Sequence, residues 1–346
     1  VLTRVAASHL RVGTFQYFQA RGEIDTLRRL ADYTVARHDP ALVGTPGRYL
    51  GLLQAVAQRQ AALIARWMNV GFIHGVMNTD NMALSGETID YGPCAFIEAF
   101  DPATVFSSID HNGRYAYANQ PHIARWNLAR LAEALLPLMV DADDEAGIQR
   151  AVAQLTEVID AFPGGYETAL LQGQRAKLGL LATTPADDAA DRALVHDWLA
   201  LLQAQAVDYT LAWRHLAAAA DGHEPPLRQL FADQAALDAW LLRWRERCAQ
   251  DDRRAANDDH DATAATAATG PSPRAAAMRH ASPRIIPRNH LVEAALSAAS
   301  DHGDLAPFEQ LLAAVRNPYS DAAELAPWAL PAPASVTAGY QTFCGT

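Results

Sequence analysis

The sequence has few of the features on which several protein classes depend. Its three cysteines, Cys94, Cys248 and Cys344, are too few and too widely spaced for a disulfide scaffold or a zinc site. No apolar run reaches membrane-spanning length, and no signal peptide is visible. The net charge is −11 and no basic stripe is present, which argues against nucleic-acid binding. We therefore expect a soluble, cytoplasmic bacterial protein without membrane or nucleic-acid partners.

Helical periodicity dominates the sequence after residue 20, with one long apolar stripe over residues 46–70 that ends near Trp67. We predict a short strand at 1–6, while residues 11–15 fit either a continued strand or the start of a helix. The predicted helices cover 24–37, 46–70, 123–136, 142–162, 164–178, 188–204, 209–219, 233–249, 289–300 and 307–316. The predicted fold class is therefore α+β, mostly α.

The most informative stretch is residues 71–94, which opens with a His-Gly turn at His74 and closes with Asp-Tyr-Gly at Asp90. Short apolar runs on either side of a Ser-Gly turn, at 82–84 and 88–89, predict a small hairpin. The hairpin would bring Asp80 and Asn81 close to Asp90. Two carboxylates and an amide can bind a hard divalent cation whose shell is completed by phosphate oxygens.

This order of residues matches the catalytic loop and the metal loop of protein kinases, with one different spacing. Asp80 directly precedes Asn81, whereas a protein kinase places its catalytic Asp several residues before the metal-binding Asn. We predict Asp80 as the base that accepts the proton of the attacking hydroxyl, and Asn81 and Asp90 as ligands of Mg²⁺, with Mn²⁺ as the alternative. On these residues alone, Asp80 as a hairpin cap and Asp90 as a backbone acceptor stay open.

These motifs resemble the signature of the selenoprotein O family (SelO/YdiU), which are kinase-fold protein adenylyltransferases. The resemblance lies in His-Gly-x-Met-Asn-Thr-Asp-Asn-Met at 74–82 and Thr-Ile-Asp-Tyr-Gly-Pro at 88–93. The opening segment 2–15, the Pro-x-x-x-x-Arg-Asn-His motif at 283–290 and the closing Thr-Phe-Cys-Gly-Thr are similar as well. The resemblance implies a protein-kinase-like large lobe that has a short catalytic hairpin and an added helical C-terminal region.

The resemblance also implies a reaction, in which AMP passes from ATP to a Ser, Thr or Tyr hydroxyl of a protein and pyrophosphate is released. ATP would bind in the inverted orientation, with Arg4 and Arg11 holding its terminal phosphate. An arginine fork suits that task, although spacing alone would favour two solvated surface charges. Two alternatives remain, namely an ordinary phosphotransferase that uses the γ-phosphate and a catalytically silent nucleotide-binding chain.

One part of a kinase fold has no counterpart in the sequence. The single lysine, Lys177, follows the catalytic stretch, whereas a kinase holds the nucleotide phosphates with a lysine that precedes it. No Gly-rich phosphate loop precedes the stretch either. We interpret the chain as a C-terminal portion without the small lobe. On this interpretation 1–20 is the end of the small lobe or hinge, and 21–250 is the large lobe with a helical extension.

Composition changes after residue 250. Residues 251–277 are rich in Ala, Asp and Thr and predict a disordered acidic linker, before a C-terminal helical segment and tail at 278–346. Because the resemblance places a redox-active residue at Cys344, a bond from the tail to Cys94 is plausible. The alternative is Cys94 as a small core residue and Cys344 as a free thiol.

Overall fold

The computed structural model describes residues 3, 5–258, 271–337 and 339–343. Helices dominate, and the described residues form one two-stranded sheet. The first five helices are α1 (Val12–Ala20), α2 (Ile24–His38), α3 (Arg48–Val70), α4 (Gln120–Met139) and α5 (Glu145–Leu178). Those that follow are α6 (Asp188–Ala204), α7 (Tyr209–Ala220), α8 (Pro225–Arg228), α9 (Gln234–Asp258), α10 (Pro273–Ala281), α11 (Asn289–His302), α12 (Ala306–Val315) and α13 (Ala334–Thr337). The mostly helical fold class is confirmed.

The segment between the two strands is the one that carries the candidate catalytic residues. Strands β1 (Phe72–Ile73) and β2 (Ala95–Phe96) are antiparallel and pair Phe72 with Phe96 and Ile73 with Ala95. Their pairing closes residues 74–94 into one loop. The sheet therefore fixes both ends of the stretch that the sequence singled out.

Helix α3 packs against this loop and forms hydrogen bonds to it. The predicted apolar stripe is confirmed, since all its members are buried: Tyr49, Leu52, Leu53, Val56, Leu63 and Trp67. The Gln60 amide donates to the Ala83 carbonyl oxygen at 2.6 Å, and the Trp67 indole donates to the Thr88 hydroxyl at 2.9 Å. The helix thus holds the loop both by apolar contact and by directed hydrogen bonds.

The predicted hairpin is reduced to a single bridge. Met82 pairs with Thr88, but the outer edge of 82–84 is taken by the N-terminal segment, through a bridge between Arg11 and Ala83. The Val12 amide donates to the Met82 carbonyl at 3.1 Å, and the Leu84 amide donates to the Leu10 carbonyl at 2.9 Å. Residues 11–15 therefore start a helix after one bridge residue. The described residues within 1–6 form no strand, so that prediction is wrong for them.

Helix α5 contradicts the prediction of two helices at 142–162 and 164–178. It continues through Pro163, although proline removes one helical hydrogen bond and crowds the preceding turn. Phe162 before the proline and Leu171 after it are both buried, and α5 packs along α3 and α4. The packing of one continuous apolar face outweighs the local cost of the proline. Helix α4 likewise runs past Pro137, the residue at which it was predicted to end.

The linker predicted at 251–277 is wrong at both of its ends. Helix α9 continues to Asp258, because Asp251 is 2% exposed and accepts hydrogen bonds from the amides of Leu181 and Ala182 at 2.7 and 2.8 Å. Helix α10 already begins at Pro273. Residues 259–270 lie outside the described residues. The prediction rested on amino-acid composition, which does not reveal that the Asp251 side chain is buried and links α9 to the residues that follow α5.

The C-terminal helices α11 and α12 pack on each other and confirm the helices predicted at 289–300 and 307–316. Arg288, fully buried before α11, pairs with Asp208 at 2.5 Å and with Glu98 at 3.5 Å. Burial raises the pKa of Glu98. This ion-pair group fixes the C-terminal region to the chain just beyond β2. Among the described residues, none of the helices combines the length and the apolar character that a membrane span requires.

Candidate active site

Asp80 and Asn81 lie on a short 3₁₀ turn, Thr79–Asn81, inside the loop that β1 and β2 close. The Asn81 side-chain amide nitrogen donates to the Val76 carbonyl at 3.0 Å. This bond fixes the amide plane and leaves the side-chain oxygen, the atom that a hard cation prefers, for another partner. Asp80 itself is exposed to solvent. The turn therefore presents one accessible carboxylate and one oriented amide oxygen.

Asp90 has a backbone conformation that is uncommon for a residue with a side chain. Its φ is +55°, in the left-handed region, and the Gly92 amide donates back to the Asp90 carbonyl at 2.8 Å. Such conformations are concentrated at functional sites, where the surrounding structure imposes them. The Met82–Thr88 bridge places Asn81 beside Ile89, so that Asp90 emerges next to the 3₁₀ turn.

Arg11 reaches this carboxylate from the N-terminal segment. Its Nη2 lies 3.2 Å from Asp90 Oδ2, and the two side chains are 32% and 28% exposed. Gly13, two residues further on, packs on the other carboxylate-bearing residue. A Cβ at Gly13 would lie 3.1 Å from the Asp80 Cα and 3.1 Å from its amide nitrogen. The start of α1 thus contacts both candidate acidic residues, a contact that only a glycine at position 13 permits without displacement.

His74 positions Asp90 through the backbone. Its Nε2 lies 2.8 Å from the Ile89 carbonyl oxygen, which can only accept, so Nε2 carries the proton. Burial lowers the pKa of His74, and its ring packs beside Trp67 at a centroid distance of 5.4 Å. A neutral, buried imidazole therefore anchors the residue before Asp90. It acts as a positioning residue.

Two buried amides of α4 complete the frame, and the sequence analysis missed both. Gln120 accepts a hydrogen bond from the His74 amide at 3.0 Å and donates to the Phe72 carbonyl at 2.9 Å. Asn127 donates to the Met77 carbonyl at 2.9 Å. In the sequence, each of these residues appears as a polar side chain on an otherwise apolar helix face. Such a buried polar side chain needs hydrogen-bond partners, and here the backbone of the loop and of β1 provides them.

The donor set fits a magnesium ion with few protein ligands. Mg²⁺ usually binds one or two protein carboxylates or amides and takes its remaining ligands from water and phosphate. Asn81 and Asp90 supply two such oxygen-bearing groups. No cluster of three or more His, Cys, Asp or Glu side chains with metal-binding geometry occurs in the part of the chain that the structure describes. Asn81 and Asp90 are therefore the described residues that would hold such an ion.

The other predicted site residues are placed only in part. Arg4 and Cys344 lie outside the described residues. Cys94 is half-buried next to β2, and its Sγ lies 3.6 Å from the Tyr91 carbonyl oxygen. The tail reaches this region, because the Thr342 hydroxyl donates to the Pro93 carbonyl at 2.7 Å and the Thr342 amide donates to the Phe106 carbonyl at 2.8 Å. The C-terminal tail thus approaches the residue adjacent to Cys94.

Comparison with known proteins assigns this chain to a family. The model of the family described as protein adenylyltransferase SelO matches residues 1–316. The chain belongs to the SelO family. The resemblance inferred from the motifs is therefore confirmed.

Curated relatives align with the whole chain. It is 57% identical to a protein named protein nucleotidyltransferase YdiU from Chromobacterium violaceum, over 100% of this chain and 67% of that protein. It is 52% identical to the YdiU protein of Cereibacter sphaeroides and 50% identical to that of Rhizobium rhizogenes, over 65% and 64% of those proteins. The chain thus spans about two thirds of the length of these relatives.

Proposed function

We propose that this chain is the large lobe of a kinase-like fold and that the intact protein transfers AMP from ATP to Ser, Thr or Tyr hydroxyls of proteins. Family membership supports the reaction class. The observation that carries the assignment to this site is the contact of Arg11 with Asp90 beside the Asp80–Asn81 turn. A guanidinium, an oriented amide and two carboxylates at one loop form a suitable environment for a nucleotide triphosphate and its cation.

In this proposal Asp80 takes the proton of the attacking hydroxyl. The hydroxyl oxygen forms a bond to the α-phosphorus, the bond from that phosphorus to the bridging oxygen breaks, and pyrophosphate leaves. Asp80 suits this role because its carboxylate is exposed on a turn that packs closely against Gly13 at the start of α1. Proximity of a fixed base to the acceptor hydroxyl lowers the barrier by removing the entropy cost of their encounter.

Asn81 and Asp90 would hold Mg²⁺, which neutralises the charge that develops on the phosphates. Arg11, with Arg4 beyond the described residues, would hold the terminal phosphate and so place the α-phosphate at the acceptor, the inverted orientation of ATP. The planar guanidinium offers paired donors that match phosphate oxygens. Arg11 is suitably placed because its head group already lies at the carboxylate assigned to the metal.

ATP labelled separately at the α- and γ-phosphate tests this function in the intact protein. We expect protein-bound label from α-labelled ATP alone, and loss of that label in D90A. Label from γ-labelled ATP alone would replace the proposal by a phosphotransferase. Absence of label from both would leave a nucleotide-binding protein without transfer activity.

We also propose a conditional disulfide between Cys94 and Cys344. The tail contact from Thr342 to Pro93 supports it, because it leads the chain toward Cys94. In a reducing compartment such a bond would act as a switch. Mass spectrometry of the oxidised, unreduced protein should find a peptide that joins the two cysteines. Its absence, in a preparation where both thiols are otherwise intact, would reject the bond.

A further inference from the structure

A half-exposed aromatic side chain close to two arginines lies on a helix that contacts the catalytic loop. Trp126, on α4, is 40% exposed. The guanidinium of Arg114 lies 4.9 Å from its ring centre, and that of Arg130 lies 5.3 Å away. These distances are within the range of cation–π attraction. We call these three residues the Trp126 platform.

Both elements that carry the platform contact the catalytic loop. Tyr115, which follows Arg114, donates its hydroxyl to the Asn78 side-chain oxygen at 2.6 Å. Asn127, which follows Trp126, donates to the Met77 carbonyl. Asn78 is exposed and comes two residues before the candidate base. A substrate whose hydroxyl meets Asp80 would therefore extend over Asn78 toward the platform.

The platform is held in place before any partner arrives. The Asp110 carboxylate accepts hydrogen bonds from the backbone amides of Arg114 and Tyr115 at 2.8 and 2.7 Å. Asn119 donates to the Gly113 carbonyl at 2.7 Å. The backbone of the loop that presents Arg114 is therefore fixed, and a backbone that is ordered in advance loses little entropy on binding.

Charge identifies the chemistry of the partner. Arg130 pairs with Glu133 at 2.6 Å, so its charge is balanced locally. Arg114 is exposed, and among the described residues its guanidinium makes cation–π contacts but no ion pair with a carboxylate. An exposed guanidinium with no ion-pair partner among the described residues can bind a carboxylate, which accepts two parallel hydrogen bonds from it. One unbalanced cation, in a chain of net charge −11, is far short of the row of cations that a nucleic-acid backbone requires.

We propose that the Trp126 platform binds an acidic side chain of the protein substrate, close in sequence to the hydroxyl that accepts AMP. Arg114 provides the charge and the donors, and the Trp126 ring contacts its guanidinium. This inference rests on the proposed function, since it assigns a substrate preference to that same site.

A binding measurement tests docking independently of transfer. Two fluorescent peptides each contain one Ser. In the first peptide Glu flanks this Ser on both sides, and in the second Gln does. Fluorescence anisotropy would measure the binding of each peptide to the intact protein. We expect the Glu peptide to bind roughly tenfold more tightly than the Gln peptide, as for a charge-assisted bidentate contact. R114Q should lose this difference and W126L should reduce it. R316Q, which removes an exposed arginine after α12, should retain it.

Equal binding of the two peptides, or full discrimination in R114Q, would overturn the proposal. An oligonucleotide that binds in an Arg114-dependent manner when neither peptide does would replace it with nucleic-acid recognition. In a transfer assay with α-labelled ATP, R114Q should raise the KM for the Glu peptide and leave the KM for ATP unchanged. A raised KM for ATP alone would assign Arg114 to the nucleotide and reject docking. Because anisotropy needs no transfer, failure of the adenylylation function and failure of docking give different results.

Discussion

The molecule contains two kinds of Asp–Arg pair, and the difference between them separates the candidate site from the scaffold. In the candidate site, Asp90 and Arg11 are each about one third exposed, and Arg11 Nη2 lies 3.2 Å from Asp90 Oδ2. Between α5, α6 and α9, Asp191 is fully buried and each of its two oxygens accepts from an arginine, Arg175 Nε and Arg247 Nε, both at 2.7 Å.

The comparison teaches that the residue pair itself does not indicate a ligand site. A candidate ligand must be at least partly accessible and must also lie beside other candidate ligands, as Asp90 lies beside the Asp80–Asn81 turn. Both oxygens of the buried Asp191 carboxylate already accept hydrogen bonds from arginines. Replacing one member of this group would leave a charge without its partner in a medium of low dielectric. The Asp90 carboxylate is partly accessible, with its side chain 28% exposed, although its Oδ2 is buried near Arg11. Asp191 should therefore matter for stability, and Asp90 for binding.

The buried pair should give the largest effect. We expect D191A to lower the free energy of unfolding by about 3–5 kcal/mol, because it removes the shortest carboxylate contact of Arg247, which is buried, and of Arg175, whose side chain is 12% exposed. D160A removes an exposed carboxylate that pairs with Arg125, and should cost less than about 1 kcal/mol. Urea unfolding of both variants measures the contrast. Equal losses would mean that burial does not distinguish the pairs.

Lys177 sharpens the same comparison, because it is a buried basic side chain that pairs with no carboxylate in the part of the chain that the structure describes. It is 2% exposed and lies 5.1 and 4.9 Å from the ring centres of Tyr209 and Trp213. Burial lowers the pKa of Lys177 to about 7, against 10.5 when unfolded. Below pH 7 both states carry the proton, so the folded state bears the full cost of burying the charge.

Between about pH 7 and 10.5 the unfolded state binds the extra proton, so this lysine makes stability rise with pH across that window. K177M should therefore raise the free energy of unfolding at pH 6–7 by on the order of 3 kcal/mol, and the gain should shrink toward pH 10. Urea unfolding at a series of pH values measures this. A gain in stability that does not change with pH would show that the pKa of Lys177 does not differ between the folded and unfolded states.

Arg11 should give a smaller effect, confined to the nucleotide. We expect R11A to weaken ATP binding by roughly tenfold and AMP binding much less, because the guanidinium is assigned to the terminal phosphate. R11K should recover only part, since an ammonium lacks the paired donors. R21A removes an exposed arginine that pairs with Glu23 and serves as the control. If ATP and AMP lose affinity equally, Arg11 does not bind the terminal phosphate.

The sequence predicted much of this structure because local signals and tertiary contacts agree there. The α3 stripe and the limits of α6, which are 188–204 in both, follow from apolar periodicity alone. Pro163 inside α5 and Asp251 inside α9 violate local rules and are accommodated by partners distant in sequence. Gln120 and Asn127 were missed for the same reason, since their partners are backbone groups of a loop about fifty residues away.

The central claim is that Asp80 and Asp90 have different roles at one loop. Calorimetric titration of ATP into the intact protein, with and without Mg²⁺, tests it directly when combined with turnover measurements. We expect D90A to abolish the Mg²⁺-dependent part of ATP binding, and D80A to retain it while turnover falls by on the order of 10²-fold, as for loss of a general base. Equal loss of ATP affinity in both variants would contradict the assignment.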